Sequence, residues 1–346
     1  MRKEIKDPNA LFDAAEKKRG ASKFLEAIPI YLEAKKLAPK DSELKAACSA
    51  SLGDTYRMAG AFVKAVKCYK EAHRLSVILG DEMRGLDALV GLGLSLRALG
   101  SIKEAIAVFD GALAGYRKAK DEAGTAFTLW ARAGALRIKG DLNGALGGFA
   151  EARGIFKRLR DQSGVGYCLT GLGGASRVAG FPKESGKHYA EANKLFTKHK
   201  DAFGVAYSYC GVANSLRMQG DFKASLAYFK KAKTQYKRIG DKVSYAYTLW
   251  GEGSSLLMLG KAELASEDFK EAARLFRETK DRRGLIYCEL SRGQMQFKKN
   301  ASKAAELVNK AFKEARSIGL GVEIAYAKEV LETMTRNPGA LPLNLA

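Results

Sequence analysis

Residues 201–240 read DAFGVAYSYCGVANSLRMQGDFKASLAYFKKAKTQYKRIG, and this stretch predicts a pair of helices. The carboxylate of Asp201 can accept a backbone N–H at the start of the first helix. The glycine that ends the first half suits the left-handed conformation that terminates a helix. In the second half, Ser225, Phe229 and Ala232 stand at i, i+4 and i+7, which places them on one helical face. The segment therefore encodes two helices joined by a glycine turn.

The same pattern recurs every 40 residues through most of the chain. An Asp begins each unit, a Gly ends its first helix, and an aromatic residue followed by Ala marks its second helix. The columns are Asp41, Asp81, Asp121, Asp161, Asp201, Asp241 and Asp281; Gly60, Gly100, Gly140, Gly180, Gly220 and Gly260; Tyr69, Phe109, Phe149, Tyr189, Phe229 and Phe269; Ala72, Ala112, Ala152, Ala192, Ala232 and Ala272. Since one helix pair cannot bury its apolar face alone, such a period predicts a stacked array.

The array predicts one elongated domain over residues 1–336. The first and last units deviate from the 40-residue pattern, as capping repeats do. The predicted parts are an N-terminal capping repeat 1–40, the repeats 41–80, 81–120, 121–160, 161–200, 201–240, 241–280 and 281–319, and a capping helix 320–336. The remaining ten residues, 337–346, contain two prolines and are predicted to form a flexible tail.

The units resemble a known repeat family. The string Leu52-Gly53-Asp54-Thr55-Tyr56, followed by Gly60, Ala65, Tyr69 and Ala72, resembles the tetratricopeptide repeat in the spacing of its small and aromatic positions. The 40-residue period is similar to a longer variant of that repeat. The resemblance runs from about residue 9 to residue 335. It implies an all-α fold, a right-handed α-α superhelix in which the first helices line a concave groove.

Two further glycine columns lie inside the first helices. A glycine in a helix costs about 0.5–1 kcal/mol relative to alanine, so its repetition predicts close approach between neighbouring helices. One column stands early in the first helix and the other near its middle; they are Gly124, Gly164, Gly204 and Gly284, and Gly53, Gly93, Gly173, Gly253 and Gly293.

The groove-facing side of the first helices carries arginines and aromatic residues in rows. Arginine provides a planar donor pair for carboxylate or phosphate and stacks on aromatic rings. The predicted ligand-binding residues are Arg57, Arg97, Arg137, Arg177, Arg217, Phe127, Trp130, Tyr167, Tyr207, Asn214, Tyr247, Trp250 and Tyr287. Each row has a second interpretation: the arginines pair with an adjacent repeat, the tyrosines pack between repeats, and the tryptophans belong to the core.

Composition narrows the function classes. The chain of 346 residues has 59 Lys+Arg against 38 Asp+Glu, a net charge of +21, which favours an acidic partner. No run of eighteen apolar residues predicts a membrane span, and no secretory leader is visible, so we expect a cytoplasmic protein. The five Cys do not form a disulfide framework. We find no metal-ligand spacing, phosphate loop or catalytic carboxylate pair, and we predict no metal, no cofactor and no enzymatic activity.

Two functions fit these features. The first is a protein-interaction scaffold that holds an extended or helical, acidic segment of a protein or peptide partner in its groove. The alternative is binding of single-stranded nucleic acid, with arginines on the phosphates and aromatic rings stacked on the bases.

Overall fold

The chain is all-α in a computed structural model. The structure describes residues 7–21, 23–40 and 42–346, and these residues contain no β-strand. Asp41, the first member of the predicted capping column, lies outside them. The chain divides into two compact units, Met1–Arg132 and Ala133–Ala346. The single domain over residues 1–336 stays a prediction.

The first unit is a succession of helix pairs that follow the 40-residue period. Within each pair a short turn joins the two helices, and each helix packs on its neighbours in sequence. Its helices are α1 Pro8–Gly20, α2 Phe24–Leu37, α3 Glu43–Met58, α4 Phe62–Leu79, α5 Glu82–Ala98, α6 Ile102–Lys118 and the first part of α7 Glu122–Lys139.

The second unit continues the pattern from the end of α7. It closes with a single helix and a short 3₁₀ turn in place of a full pair. Its helices are α8 Leu142–Arg158, α9 Gln162–Val178, α10 Pro182–Lys198, α11 Ala202–Met218, α12 Phe222–Ile239, α13 Lys242–Met258, α14 Ala262–Thr279, α15 Arg282–Gln296, α16 Ala301–Ser317 and α17 Gly321–Arg336, followed by the turn Pro338–Ala340.

The predicted caps are confirmed for the described members of the Asp column. From Asp81 to Asp281, each side chain accepts the backbone N–H three residues further on at 2.8–3.0 Å. Ser42 has this role in α3, where its hydroxyl accepts from the Lys45 N–H at 3.3 Å. The glycines that end the first helices have φ between 75° and 96°, the left-handed conformation that the sequence predicted.

Aromatic rings fill the space beside the glycine columns except at Gly293, which faces the Val308 side chain and the Ala304 carbonyl oxygen. The ring of Tyr69 lies between Gly53 and Gly91, where a Cβ at Gly53 would be 2.7 Å from the ring. Tyr189 lies in the same way between Gly173 and Gly211. The close approach is therefore that of a first helix onto the aromatic side chain of a second helix, and a side chain larger than hydrogen would overlap the ring.

The first helices of the second unit form a continuous inner layer. Helices α9, α11, α13, α15 and α17 contact one another in succession, whereas the second helices contact only their sequence neighbours. The layer also returns to its own start, because Gly321 at the beginning of α17 lies against the carbonyl oxygen of Lys139 at the end of α7. The inner face of this layer, on which Arg217, Gln294 and Tyr326 contact residues 341–346, is referred to as the groove of the second unit.

The carboxyl group of Asp268 on α14 is partly buried, and burial makes its ionised form unfavourable. Burial raises the pKa of Asp268 to about 7, and the adjacent Glu252 on α13 adds to the increase, opposed by Lys233 on α12. The Oδ2 atom of Asp268 is buried and has no hydrogen-bond partner among the described residues. The other charged group that acts on it is Glu267, which also raises the pKa.

We therefore expect Asp268→Asn to stabilise the protein at pH 8 but not near pH 4. The folded state holds the proton up to a higher pH than the unfolded state, whose Asp titrates near 3.8. Stability is lost as the pH rises from about 4 to about 7. The variant should gain about 1–2 kcal/mol at pH 8, less than complete burial would give, because the carboxyl is partly solvated.

Thermal unfolding followed by circular dichroism at pH 4 to 8 measures this difference. Glu263→Gln is the control, since it removes one exposed charge of the same helix that does not act on Asp268. A gain for Asp268→Asn that is the same at pH 4 and pH 8 would contradict the assigned cause.

Candidate functional site

The three arginines of the predicted row in the second unit line its groove. The Nη1 of Arg137 lies over α9, 3.1 Å from the position that a Cβ would take at Gly174. Its Nε, and both the Nε and Nη1 of Arg177, are buried without a hydrogen-bond partner among the described residues. Buried donors of this kind are rare in folded proteins, so a bound acceptor can satisfy them. Arg217, the third, is fully buried.

In the first unit, two members of the row contact their own or the next repeat. The Nη1 of Arg97 donates to the Ala131 carbonyl at 3.2 Å. The Nε of Arg57 donates to the Tyr69 hydroxyl at 3.3 Å. Arg19 donates to the Tyr31 hydroxyl at 3.2 Å in the same geometry. Arg19 is therefore the equivalent residue of the first repeat, which the sequence did not identify because the register shifts by two residues.

The tyrosine column packs between repeats. The hydroxyl of Tyr167 donates to the carboxylate of Asp201 at 2.8 Å, and that of Tyr247 donates to Asp281 at 3.2 Å. Both acceptors are the capping residues of the next unit. The Tyr207 ring meets the Tyr189 ring of the preceding repeat edge to face, with centroids 6.4 Å apart. The tyrosines thus link neighbouring repeats, in agreement with the second interpretation of this row.

Tyr287 continues the column with a charged partner. Its hydroxyl donates at 2.7 Å to the carboxylate of Glu323, which is fully buried on α17. Arg283 donates to the same oxygen at 2.6 Å. Burial alone would lower the pKa of Arg283, but the Glu323 carboxylate outweighs it and holds that pKa well above its usual range. A buried ion pair therefore joins α15 to α17.

The two predicted tryptophans differ in their surroundings. Trp250 is 6% exposed, and its indole N–H donates to the Ser291 hydroxyl at 3.0 Å, so it belongs to the core. Trp130 is half-buried and lies against the Phe127 ring, with centroids 5.5 Å apart. Phe127 itself is 44% exposed.

Arg217 is the centre of a polar cluster inside the groove. Its Nη2 donates to the Asn214 amide oxygen at 3.2 Å, and its guanidinium lies 5.4 Å from the Trp250 ring. Burial lowers the pKa of Arg217, and the positive charge of Arg177 lowers it further. Arginine stays protonated even so, which makes this cluster a cationic site within an apolar surface.

The segment after α17 lies in this groove. Leu341, Leu345 and Ala346 are buried with the cluster of Trp250 and Tyr287. The sequence predicted a flexible tail over residues 337–346, and the structure differs. The prolines end the helix as predicted, but the leucines that follow them bury apolar surface, which orders the segment.

Four hydrogen bonds hold the segment. Arg217 Nη1 donates to the Asn344 amide oxygen, and Asn344 Nδ2 donates back to the Arg217 carbonyl at 2.9 Å. The Leu343 N–H donates to the Gln294 side chain at 2.6 Å, and the Tyr326 hydroxyl donates to the Ala346 carbonyl at 2.8 Å. Sequence reasoning missed Gln294 and Tyr326. Gln294 shares its unit position with Asn214, and that shared position was the available signal.

The described residues show no group of three or more His, Cys, Asp or Glu side chains placed to hold a metal ion. All five cysteines are free thiols. No helix within the described ranges has the length and apolar character needed to cross a membrane.

Comparisons with known proteins agree with this repeat architecture. Residues 204–278 match the tetratricopeptide repeat family, which confirms the resemblance over that stretch. No curated protein sequence matches the chain.

Three solved structures share its fold. A Rap protein complexed with competence and sporulation factor has a TM-score of 0.68 at 13% identity, over 96% of this chain and 98% of that chain. The Rap conjugation gene regulator of the plasmid pLS20, in complex with the Phr* peptide, has a TM-score of 0.57 at 15% identity, over 98% and 100%. Aspartyl phosphate phosphatase F from Bacillus subtilis has a TM-score of 0.54 at 13% identity, over 99% and 98%. At these identities the likeness concerns the fold alone.

Proposed function

We propose that this protein is a non-catalytic scaffold that binds an extended segment of a protein or peptide partner in the groove of its second unit. The observation that carries the proposal is the segment 341–346, which lies in that groove and is held by side chains of the first helices. A surface that accommodates one non-helical segment has the shape and the hydrogen-bonding groups to bind another. Two Rap proteins with this fold, one in complex with the Phr* peptide and one with competence and sporulation factor, support the same function.

Acidic side chains on the partner would satisfy the unpaired donors. The buried Nε atoms of Arg137 and Arg177 have no acceptor among the described residues, and a carboxylate takes the fork geometry of a guanidinium. Arg97, by contrast, donates a hydrogen bond to the Ala131 carbonyl and so links two neighbouring repeats. The acidic specificity is therefore assigned to Arg137 and Arg177 rather than to the whole row.

An array of random 12-residue peptides tests this function. We expect the full chain to retain peptides enriched in Asp and Glu, and the double variant Arg137→Ala/Arg177→Ala to retain at least tenfold less, since a charge-assisted hydrogen bond is worth about 1.5–3 kcal/mol. The control is Arg238→Ala/Arg336→Ala, which removes the same charge from exposed positions.

Two results would count against the scaffold. One is an array that retains no peptide of any composition; the other is equal retention by the double variant and its control. A random single-stranded RNA is the competing probe. Tighter binding of RNA than of any peptide, falling steeply with salt, would favour the nucleic-acid alternative instead.

A further inference from the structure

The contact between Asn344 and Arg217 is specific for a side-chain amide. The amide oxygen accepts from the Arg217 guanidinium while the amide nitrogen donates to the carbonyl of the same residue. An ionised carboxylate offers acceptors only, so its second oxygen would lie against the Arg217 carbonyl oxygen and be repelled by it. That carbonyl also accepts from the Gly220 N–H at 3.0 Å, and the Asn344 amide adds a second donor to it. The groove around Arg217 therefore distinguishes an amide from an acid.

The flanking contacts are two main-chain hydrogen bonds and three leucines, on a chain that bends at Pro342. Leu341 and Leu345 are buried and Leu343 between them is half-buried, all against the same apolar cluster. The Leu343 N–H and the Ala346 carbonyl both bond to groove side chains, Gln294 and Tyr326. Main-chain hydrogen bonds together with pockets for alternate side chains are the means by which extended peptides are recognised.

The segment is held by few contacts. Burial of two leucines and four hydrogen bonds must offset the ordering of about nine residues, and these terms are of comparable size. The segment also joins the fold only through the turn after α17. A ligand that makes the same contacts can displace it without unfolding the helices.

We propose that residues 341–346 are a tethered occupant of the partner groove, and that the groove around Arg217 selects a partner segment with buried leucines and an Asn before the last of them. The inference deepens the proposed function and rests on it. It adds an amide-binding subsite at Arg217 beside the carboxylate-binding one at Arg137 and Arg177. Partner binding then requires that the segment leave the groove.

Binding of a labelled synthetic peptide with the sequence of residues 338–346 tests the proposal. We compare the full wild-type chain with a release variant, Asn344→Ala/Leu345→Ser, by fluorescence anisotropy. The matched control, Asn309→Ala/Leu264→Ser, makes the same changes at exposed positions of α16 and α14. We expect the release variant to bind at least tenfold more tightly, because its competent state is more populated. The control should bind like the wild type.

Equal affinities of the three chains would overturn the proposal, as would no binding to a release variant whose helical signal and melting temperature match the wild type. Hydrogen exchange on the wild-type chain decides the case in which the release variant does not fold. Excess peptide should accelerate exchange at least tenfold in residues 341–346. Unchanged exchange overturns the proposal. The same peptide with Asp in place of Asn should have less effect, and an equal effect would overturn the amide specificity.

These results are separable from those of the peptide array. If acidic peptides are retained through Arg137 and Arg177, and added peptide does not accelerate hydrogen exchange in residues 341–346, the scaffold proposal stands. The proposal of a tethered occupant is then wrong. If no peptide of the array is retained, and the release variant nevertheless binds the peptide of residues 338–346, the proposal of a tethered occupant stands. The proposal of an acidic partner is then wrong.

Discussion

Replacing Glu323 by alanine is expected to lower the free energy of unfolding by about 3 kcal/mol, because it leaves Arg283 and the Tyr287 hydroxyl without their shared partner. The cost lies at the lower end of the range for a broken buried pair, since the Arg283 side chain is 25% exposed. The carboxylate is fully buried and accepts from both Arg283 and the Tyr287 hydroxyl. Loss of one partner leaves the others desolvated and unpaired, which costs more than the pair itself contributes. Thermal unfolding measured by calorimetry gives the difference.

A double substitution separates the cost of leaving one charge unpaired from the contribution of the buried side chains. Glu323→Leu with Arg283→Met replaces both charges by apolar side chains of similar size, and we expect it to recover most of the loss. Glu329→Ala, on the exposed side of the same helix, is the control and should change the stability by less than about 0.5 kcal/mol. A loss for Glu323→Ala no larger than that of the control would show that water reaches Arg283 from another side.

The repeat made the helices and their caps predictable. Each cap depends on an Asp and the residues directly after it, and each turn depends on one glycine, so the relevant interactions lie within one unit. The glycine columns were predictable as places of close approach for the same reason. That the approaching group is a ring such as Tyr189, and not a backbone, required the packing of two units.

The site was predictable in position but not in its pairings. Arg217 and Asn214 were placed on the groove face by their unit positions, and the structure brings them together. The partner Asn344 lies 127 residues further along the chain, and no local pattern connects it to Arg217. The leucines at 341, 343 and 345 indicate an apolar segment, but not the surface that buries it.

Substitution of Gly211 by alanine is expected to destabilise the second unit by about 1–3 kcal/mol, the usual cost of inserting atoms into a packed core. A Cβ at this position would overlap the ring of Tyr189, which is 4% exposed and is also in contact with Gly173 on its other side. The ring has no free space to move into. The loss should appear although alanine is the better helix former by about 1 kcal/mol.

An exposed glycine supplies a control of opposite sign. Gly147 on α8 has no atom within 4 Å of its Cβ position, so Gly147→Ala should stabilise the protein by about 0.5–1 kcal/mol through helix propensity alone. Adding Tyr189→Leu to Gly211→Ala removes the overlapping ring atoms, and the double variant should lose less than the sum of the two single losses. Additive losses would place the damage elsewhere than at the ring. A gain for Gly211→Ala equal to that of Gly147→Ala would mean that the aromatic column does not set the spacing of neighbouring helices.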